Sequence, residues 1–357
     1  MTTRSTRPAT IADLAASLKL SKSAVSNALN NRPGVSPATR ARVQAAAERS
    51  GWRPNALAKA LSTGQAGAFG LCIARDSRVL GSESYYQRVI AGIEEVLIDS
   101  DHALLLRLVG PTGRDLDVYR QWAREHRVDA VALFDLQADD PRPPLMDELG
   151  LPAVIQGSTT STHHPVVNGD VHAEVRMIIE HVRSRGASRV IFLHGPTHFT
   201  HEIDRLAAMR AATRAHGMPL RTIETDYSQE QGLAQGRDLL ADGWADAVIT
   251  SNDLLAVGVA RALGDLTGAD SALQDPADVR IVSWDDSLLC AYMRPGITAL
   301  NRHPQSTGRQ VGRLLLSLVG AGSGAAATGA GSVPEDEGHR TTLVVRESSE
   351  VPDRIED

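Results

Sequence analysis

Residues 10–29 read TIADLAASLKLSKSAVSNAL, and this stretch decides how the first part of the chain folds. Thr10 and Asp13 have the spacing of a capping box, in which each side chain accepts a backbone N–H of the other. The capping box predicts that a helix begins here. Apolar residues recur along it at helical spacing, starting with Ile11 and Leu14, so one side of this helix should be buried.

A second helix follows at once, because Ser21 is a good N-cap for residues 22–29. The next segment, Asn30–Gly34, is rich in residues that favour turns. A third helix should begin after the N-cap Ser36 and end at Gly51. Two short helices joined by a tight turn and followed by a third supporting helix indicate a helix-turn-helix.

In a helix-turn-helix the second helix enters the DNA major groove, and its first residues reach the base edges. Here these residues are Lys22 and Ser23, with Asn27 one turn further on. Lysine can donate to guanine, and asparagine can pair with adenine. Contacts to phosphates position such a module without reading sequence. We expect them from Thr10, Ser21, Ser26, Arg32 and Arg42.

The charge distribution supports a polyanion partner for this segment. Residues 1–64 carry ten basic and two acidic side chains, a net charge of +8. The remaining residues carry 27 basic and 41 acidic side chains, a net charge of −14. A short cationic module on an anionic body is typical of nucleic-acid binding, although a merely solvated basic face would have the same charge.

Four segments occur in order: TIADLA (10–15), LSKSAVSNALN (20–30), GVSPATR (34–40) and GWRPNALAKAL (51–61). Together they resemble the headpiece and hinge of the LacI/GalR family of transcriptional regulators. One residue departs from the family pattern, since Asn27 stands where many members carry a base-reading arginine.

The resemblance implies a hinge helix within residues 55–64, between a headpiece of residues 1–54 and a core of residues 65–357. Such a short helix is marginal alone and would form only on DNA. In the resemblance Leu61 is the residue that inserts into the minor groove and kinks a base step. The alternative is that Leu57 and Leu61 are ordinary core residues.

From Phe69 onwards, short apolar strands alternate with amphipathic helical segments, which predicts parallel sheets covered by helices. The fold class is therefore a helical headpiece plus an α/β core of two doubly wound lobes. The first lobe is expected at about 66–165 plus 299–323, and the second at about 166–298 plus 324–357. The predicted strands cover residues 69–74, 103–109, 130–134, 153–156, 190–194, 221–224, 247–250, 281–284 and 342–346.

The core resembles the same family and, more distantly, periplasmic sugar-binding proteins. The matching segments lie around residues 85–95, 204–206, 250–253, 283–286 and 295–298. The resemblance implies an effector pocket between the lobes, since ligands of open α/β sheets bind beyond the carboxyl ends of strands. Carboxylates and an arginine fork suit sugar hydroxyls, and an aromatic ring suits an apolar sugar face. The implied pocket residues are Tyr86 as a stacking wall, Arg205, Asn252, Asp253 and Asp285.

Other chemistries find little support in the sequence. His194, His198 and His201 fall in one loop and His163–His164 in another, but neither has a carboxylate or cysteine set at a recognised metal-ligand spacing. We therefore expect no metal and no cofactor. Cys72 and Cys290 are too far apart in sequence to suggest a framework, and we expect buried free thiols. The sequence shows no secretory signal and no long apolar run, which predicts a cytoplasmic protein without a membrane partner.

The leading hypothesis is a homodimeric repressor that binds a pseudo-palindromic operator and is controlled allosterically by a small molecule, a sugar by resemblance. A regulator strengthened by a corepressor of another chemical class is the alternative. A sugar-binding receptor is a further alternative, against which the cationic headpiece argues. An enzyme is disfavoured, because the chain lacks a G-x-S-x-G elbow and a phosphate-binding loop.

Overall fold

A computed structural model of the chain describes residues 9–29, 33–52, 64–76, 81–111, 113–158, 162–266, 279–320 and 340–350. The chain divides into two units, residues 1–65 and 66–357. Among the helices of the described ranges, none is long and apolar enough to cross a membrane.

The first unit contains the helices α1 (Ile11–Leu18), α2 (Lys22–Leu29) and α3 (Pro37–Arg49), as the sequence predicts. The capping box of α1 is present, with both reciprocal hydrogen bonds formed. The hydroxyl of Ser36 accepts the Thr39 N–H and so caps α3. After α3 the backbone of Gly51 has φ +63°, a left-handed conformation that favours glycine.

A small core holds these helices together. Leu14 of α1, Val25 of α2 and Val43 of α3 are buried in one cluster. Trp52, just after α3, packs against the same cluster. Each helix buries one apolar face against the other two, which is how short helices that are marginal alone become stable.

The first lobe of the second unit is built on a parallel sheet. Its strands are β1 (Ala68–Ala74), β2 (Ala103–Val109), β3 (Ala130–Leu133), β4 (Ala153–Gln156) and β5 (Val166–Val167). Their order in the sheet is β2-β1-β3-β4-β5. The helices α4 (Ser84–Leu97), α5 (Asp115–Arg124) and α6 (Arg142–Leu149) connect them. Successive residues of β1 face opposite sides, so Leu71 and Cys72 belong to different apolar clusters.

The second lobe repeats this plan. Its helices are α7 (Val171–Ser184), α8 (Thr200–Ala215), α9 (Gln229–Asp242), α10 (Asp253–Leu266) and α11 (Leu288–Tyr292). Its strands are β6 (Val190–His194), β7 (Leu220–Glu224), β8 (Ala247–Thr250), β9 (Arg280–Ser283), β10 (Thr298–Asn301) and β11 (Thr342–Val344). The order is β11-β10-β9-β8-β6-β7, and β11 is antiparallel to β10.

The chain then returns to the first lobe. Helix α12 (Pro304–Gly320) follows β10 of the second sheet but packs against α4 of the first lobe. Afterwards β11 rejoins the second sheet. The strands β5 and β10 are absent from the strands that the sequence predicts. Both are short, and neither shows the alternation or long apolar run that marks a strand.

Glycines allow two helix pairs to approach closely. A Cβ atom added at Gly258 of α10 would lie 2.5 Å from the backbone nitrogen of Leu233 in α9. One added at Gly308 of α12 would lie 2.9 Å from the carbonyl carbon of Val89 in α4. At both places the backbones themselves are in contact, so any side chain would force the helices apart.

We predict that Gly258→Ala lowers the free energy of unfolding by about 3 kcal/mol or more, because the added methyl group meets backbone that cannot move aside. The matched control is Gly264→Ala in the same helix, where an added Cβ meets nothing within 4 Å. This control should be neutral or more stable by up to about 1 kcal/mol, since alanine is the better helix former. Urea unfolding measures both. Equal effects of the two substitutions would contradict the assigned contact between α9 and α10.

Candidate functional site

A cavity of about 220 Å³ lies between the two lobes of the second unit. Its lining comes from the segments that directly follow parallel strands. Arg75 follows β1 and Asp135 follows β3 in the first lobe, and Asn252 follows β8 and Asp285 follows β9 in the second. The carboxyl ends of both sheets therefore face the same space, which is where open α/β sheets bind ligands.

Each arginine that lines this cavity is paired with a carboxylate. The Arg75 Nε lies 3.0 Å from Asp135 Oδ2. The Arg205 Nη1 lies 2.8 Å from Glu202 Oε1. Arg302 forms an ion pair with Asp285. Arg75, Arg205 and Arg302 are the arginines among the described residues that line the cavity, so each of them has a carboxylate partner.

These pairs keep the carboxylates ionised although they are buried. Burial by itself raises the pKa of Asp135, but the Arg75 guanidinium outweighs it and lowers the pKa to about 2. Burial likewise raises the pKa of Glu202, and Arg205 reverses the shift, so that its pKa lies below the usual range. Removing either arginine would leave a buried, unpaired charge, which is strongly destabilising.

Glu83 behaves differently, because it has no ion-pair partner of its own at hydrogen-bond distance among the described residues. Burial raises its pKa to about 8, and the more distant Arg75 opposes the rise only in part. The Asn252 Nδ2 donates to Glu83 Oε1 at 3.3 Å and to the Tyr227 carbonyl at 3.1 Å. This bond joins the first lobe to the second, and the raised pKa of Glu83 favours its protonated form at neutral pH.

Three tyrosine rings line the cavity as well: Tyr85, Tyr86 and Tyr227. The Tyr86 hydroxyl donates to Asp135. The Arg75 guanidinium lies over the rings of Phe199 and Tyr227, at 4.1 and 5.0 Å from their centres. Such cation–π contacts hold the arginine in place from the opposite lobe. The cavity thus combines planar polar groups with ring faces, the composition expected of a small-molecule site.

Backbone hydrogen bonds also connect the lobes beside the cavity. The Thr200 N–H donates to the Leu136 carbonyl at 2.9 Å, and the Ala138 N–H donates to the His198 carbonyl at 3.2 Å. The Thr200 hydroxyl donates to the Ser158 carbonyl at 2.9 Å. We call residues 136–138 and 198–200 the strap. The lobes are therefore held together here by direct protein contacts.

The structure brings four of the five implied effector residues to the cavity: Tyr86, Arg205, Asn252 and Asp285. Asp253 is not among the described residues that line it. Asp253 is the first residue of α10, where it is buried, and burial raises its pKa to about 6. The side chain of Asn252 caps this helix by accepting the Leu255 N–H at 2.9 Å.

Sequence reasoning missed both members of the Arg75–Asp135 pair and one member of each other pair, Glu202 and Arg302. Arg75 and Asp135 could have been found, since both are charged residues directly after a predicted strand. Arg302 follows β10, which the sequence does not predict, so no signal marked it. The sequence favours polar pocket lining or an exposed loop for His201, together with His194 and His198. His201 lines the cavity with its Nε2 3.1 Å from the Tyr227 hydroxyl, and burial lowers its pKa to about 4.

The first unit presents the predicted DNA-contacting residues at the start of α2. Lys22 and Ser23 are exposed, and Asn27 is half-buried one turn on. The hydroxyl of Ser21 accepts the Ala24 N–H at 3.1 Å and so caps α2. Thr10, Ser26 and Arg42 remain at least partly accessible, while Arg32 and Leu61 lie outside the described residues.

Two family models match the chain. Residues 10–55 match the model of bacterial regulatory proteins of the lacI family. Residues 179–349 match the model of the periplasmic binding protein-like domain.

Several known proteins are similar to this chain over most of its length. The transcriptional regulator CelR of Thermobifida fusca is 28% identical, over 97% of this chain and 99% of its own. The ribose operon repressor of Escherichia coli K12 is 25% identical, over 84% of this chain and 90% of its own. A solved complex of the regulator CelR with cellobiose is 26% identical with a TM-score of 0.67, and covers 95% of this chain and 99% of its own.

The fold alone is supported by a further structure. The lac repressor dimer bound to operator is 20% identical with a TM-score of 0.77, and covers 96% of this chain and 100% of its own. The lacI-family helix-turn-helix and the full-length regulator relatives identify a DNA-binding transcriptional regulator and not an enzyme. The chain carries a lacI-family helix-turn-helix domain and a periplasmic binding protein-like domain, and its full-length relatives are LacI-type regulators.

We predict that Glu83 makes the stability of the fold fall with rising pH. Its pKa is higher in the folded chain than in the unfolded one, so the folded state holds a proton that the unfolded state has released. The free energy of unfolding should decrease from the ordinary glutamate range up to about pH 8. The slope should reach about 1.4 kcal/mol per pH unit at its steepest.

The measurement is urea unfolding between pH 5 and pH 8. Glu83→Gln cannot ionise, so wild type should lose stability relative to this variant as the pH rises. Glu94→Gln, on the exposed side of α4, is the control and should follow wild type. Parallel curves for wild type and Glu83→Gln would show that Glu83 does not hold a proton in the folded chain.

Proposed function

We propose that this chain is a transcriptional repressor whose affinity for operator DNA is controlled by an uncharged carbohydrate bound between the lobes. The observation that carries the choice of ligand is the pairing of every cavity arginine with a carboxylate. The CelR relative solved with cellobiose supports a sugar of this kind.

The charges of the cavity argue against an anionic effector. Arg75, Arg205 and Arg302 are already neutralised by their partners. Glu174 and Asp204 add further carboxylates to the lining. A phosphorylated sugar would therefore meet no uncompensated positive charge among the described lining residues, and its desolvation would be costly. Neutral hydroxyls can instead donate to the carboxylates and accept from the guanidinium forks.

The position of the cavity supports control by a ligand. A molecule bound between two lobes stabilises whichever lobe arrangement lets both sides contact it. The Glu83–Asn252 bond and the strap already favour a closed arrangement, and a bound sugar would add contacts that depend on closure. By linkage, DNA binding must change sugar affinity by the same factor as sugar changes DNA affinity.

The DNA-binding end of the proposal rests on the first unit. Lys22, Ser23 and Asn27 would read base edges, and a homodimer would bind two half-sites of a pseudo-palindromic operator. The limits 1–54, 55–64 and 65–357 for headpiece, hinge and core, with Leu61 as the minor-groove wedge, belong to the same proposal. The lac repressor relative was solved as a dimer on operator.

A corepressor of another class is the second candidate. A nucleoside carries a flat base and no charge, and the Tyr227 ring that lines the cavity favours stacking. Arg75 covers this ring in the present arrangement, however, so the sugar remains the better fit.

We predict that neutral mono- and disaccharides raise the melting temperature of the full chain, whereas the matching sugar phosphates do not. A ligand at a hundred times its Kd should add about 2.7 kcal/mol to the stability. Arg205→Lys keeps the charge opposite Glu202 but loses the planar fork, so it should bind the sugar at least tenfold more weakly. Arg210→Lys, exposed on the same helix, is the control.

Calorimetric titration of the variants completes this test. A phosphorylated sugar or a nucleoside that binds while neutral sugars do not would overturn the choice of ligand. Equal loss of sugar affinity in Arg205→Lys and Arg210→Lys would show that the sugar does not bind in the cavity.

We predict that Lys22→Gln weakens binding to the preferred operator by about 1–3 kcal/mol and relaxes its sequence preference. Arg49→Gln also removes one positive charge, from the exposed end of α3, and should cost much less. The operator is obtained by selection from random duplexes, and affinities are read from fluorescence anisotropy. Enrichment of sites without two-fold symmetry would contradict a dimer, and equal losses in both variants would contradict base reading by Lys22.

A further inference from the structure

We propose that Asp147, His163 and His164 form a binding site for a divalent transition-metal ion on the first lobe. Each residue offers one ligand atom, and these atoms all lie within 4.8 Å of one another. No function assigned above uses these residues, and none of them lines the cavity between the lobes.

The geometry suits a single ion. The His163 Nε2 lies 3.0 Å from Asp147 Oδ1, and the His164 Nε2 lies 3.4 Å from the same oxygen. Two ligand atoms bound to one zinc ion at about 2.1 Å and a tetrahedral angle are themselves about 3.4 Å apart. The observed spacings therefore need only small movements of exposed side chains to accept an ion.

The ligand types indicate the kind of ion. Imidazole nitrogens with one carboxylate suit zinc, copper or nickel, whereas calcium and magnesium prefer oxygen ligands alone. Three protein ligands leave a coordination position for water. The site is open on one side, because the His163 side chain is 74% exposed and that of Asp147 is 47% exposed.

One ligand is held in place by the fold. The His164 side chain is only 7% exposed. Its ring lies against helix α6, which carries Asp147, with its Nε2 3.4 Å from the Pro143 carbonyl, a contact that an ion bound to this nitrogen would replace. The two histidines lie on the segment between β4 and β5. An ion would therefore join this segment to α6 within one lobe.

The sequence favoured no metal because His163–His164 lacks a carboxylate at a recognised spacing. The fold supplies that carboxylate from Asp147, on a helix that precedes the histidines by one strand. The simpler account is an ion pair between Asp147 and a protonated histidine. An ion pair needs only one histidine, however, while both direct Nε2 toward the same carboxylate oxygen.

The test uses the full chain, freed of metal by a chelator and titrated with zinc chloride in a calorimeter. We expect one zinc ion per chain and a rise of the melting temperature on saturation. Asp147→Asn and His164→Ala should each weaken zinc binding about tenfold or more. The controls Glu148→Gln and His172→Ala change an exposed neighbouring carboxylate and an exposed histidine of the second lobe, and should leave it unchanged.

Cobalt(II) provides a second readout. Its visible absorption is intense in a tetrahedral nitrogen–oxygen site and weak when the ion is octahedral in water. Circular dichroism establishes that each variant is folded. The proposal is overturned if wild type takes up no zinc at millimolar concentration, or if Asp147→Asn and Glu148→Gln bind zinc alike.

Discussion

A charge that is taken out of water must find an opposite charge or a proton, and this constraint organises the space between the lobes. Arg75 and Asp135 satisfy it within the first lobe, and Arg205 and Glu202 satisfy it within the second. Glu83 satisfies it by keeping its proton. Because these groups are paired before any ligand arrives, the cavity offers directed hydrogen bonds but little net charge. That is the physical reason for expecting an uncharged, hydroxyl-rich ligand.

The constraint can be met only because the fold brings distant segments together. Parallel strands place all their carboxyl ends at one edge, so residues that are far apart in sequence meet there. The crossing of the chain after β10 brings Arg302 to Asp285 and returns α12 to the first lobe. Close helix contacts at Gly258 and Gly308 then fix the distance between helices and hence the positions of the loops they carry.

The helix-turn-helix depends on much more local physics. Its caps, its turn and its apolar spacing all lie within about fifty residues, and each helix meets the others after one short connection. The charges are also divided along the chain, with a net charge of +8 on the first 64 residues and −14 on the rest. The negative charge of the core opposes non-specific contacts of the core with DNA, while the positive charge of the first unit favours DNA binding there.

The sequence by itself therefore determined the three helices of the first unit, most core strands, the class of protein and four of the residues that line the cavity. These follow from caps, periodicity and family motifs, which are readable over short distances. Only the tertiary structure decided that Asp253 is buried away from the cavity, that Arg302 pairs with Asp285, and that Asp147 meets His164. These depend on strand ends, lobe crossings and loop packing between residues far apart in the chain. No local pattern encodes such distances, because they are set by how whole elements pack.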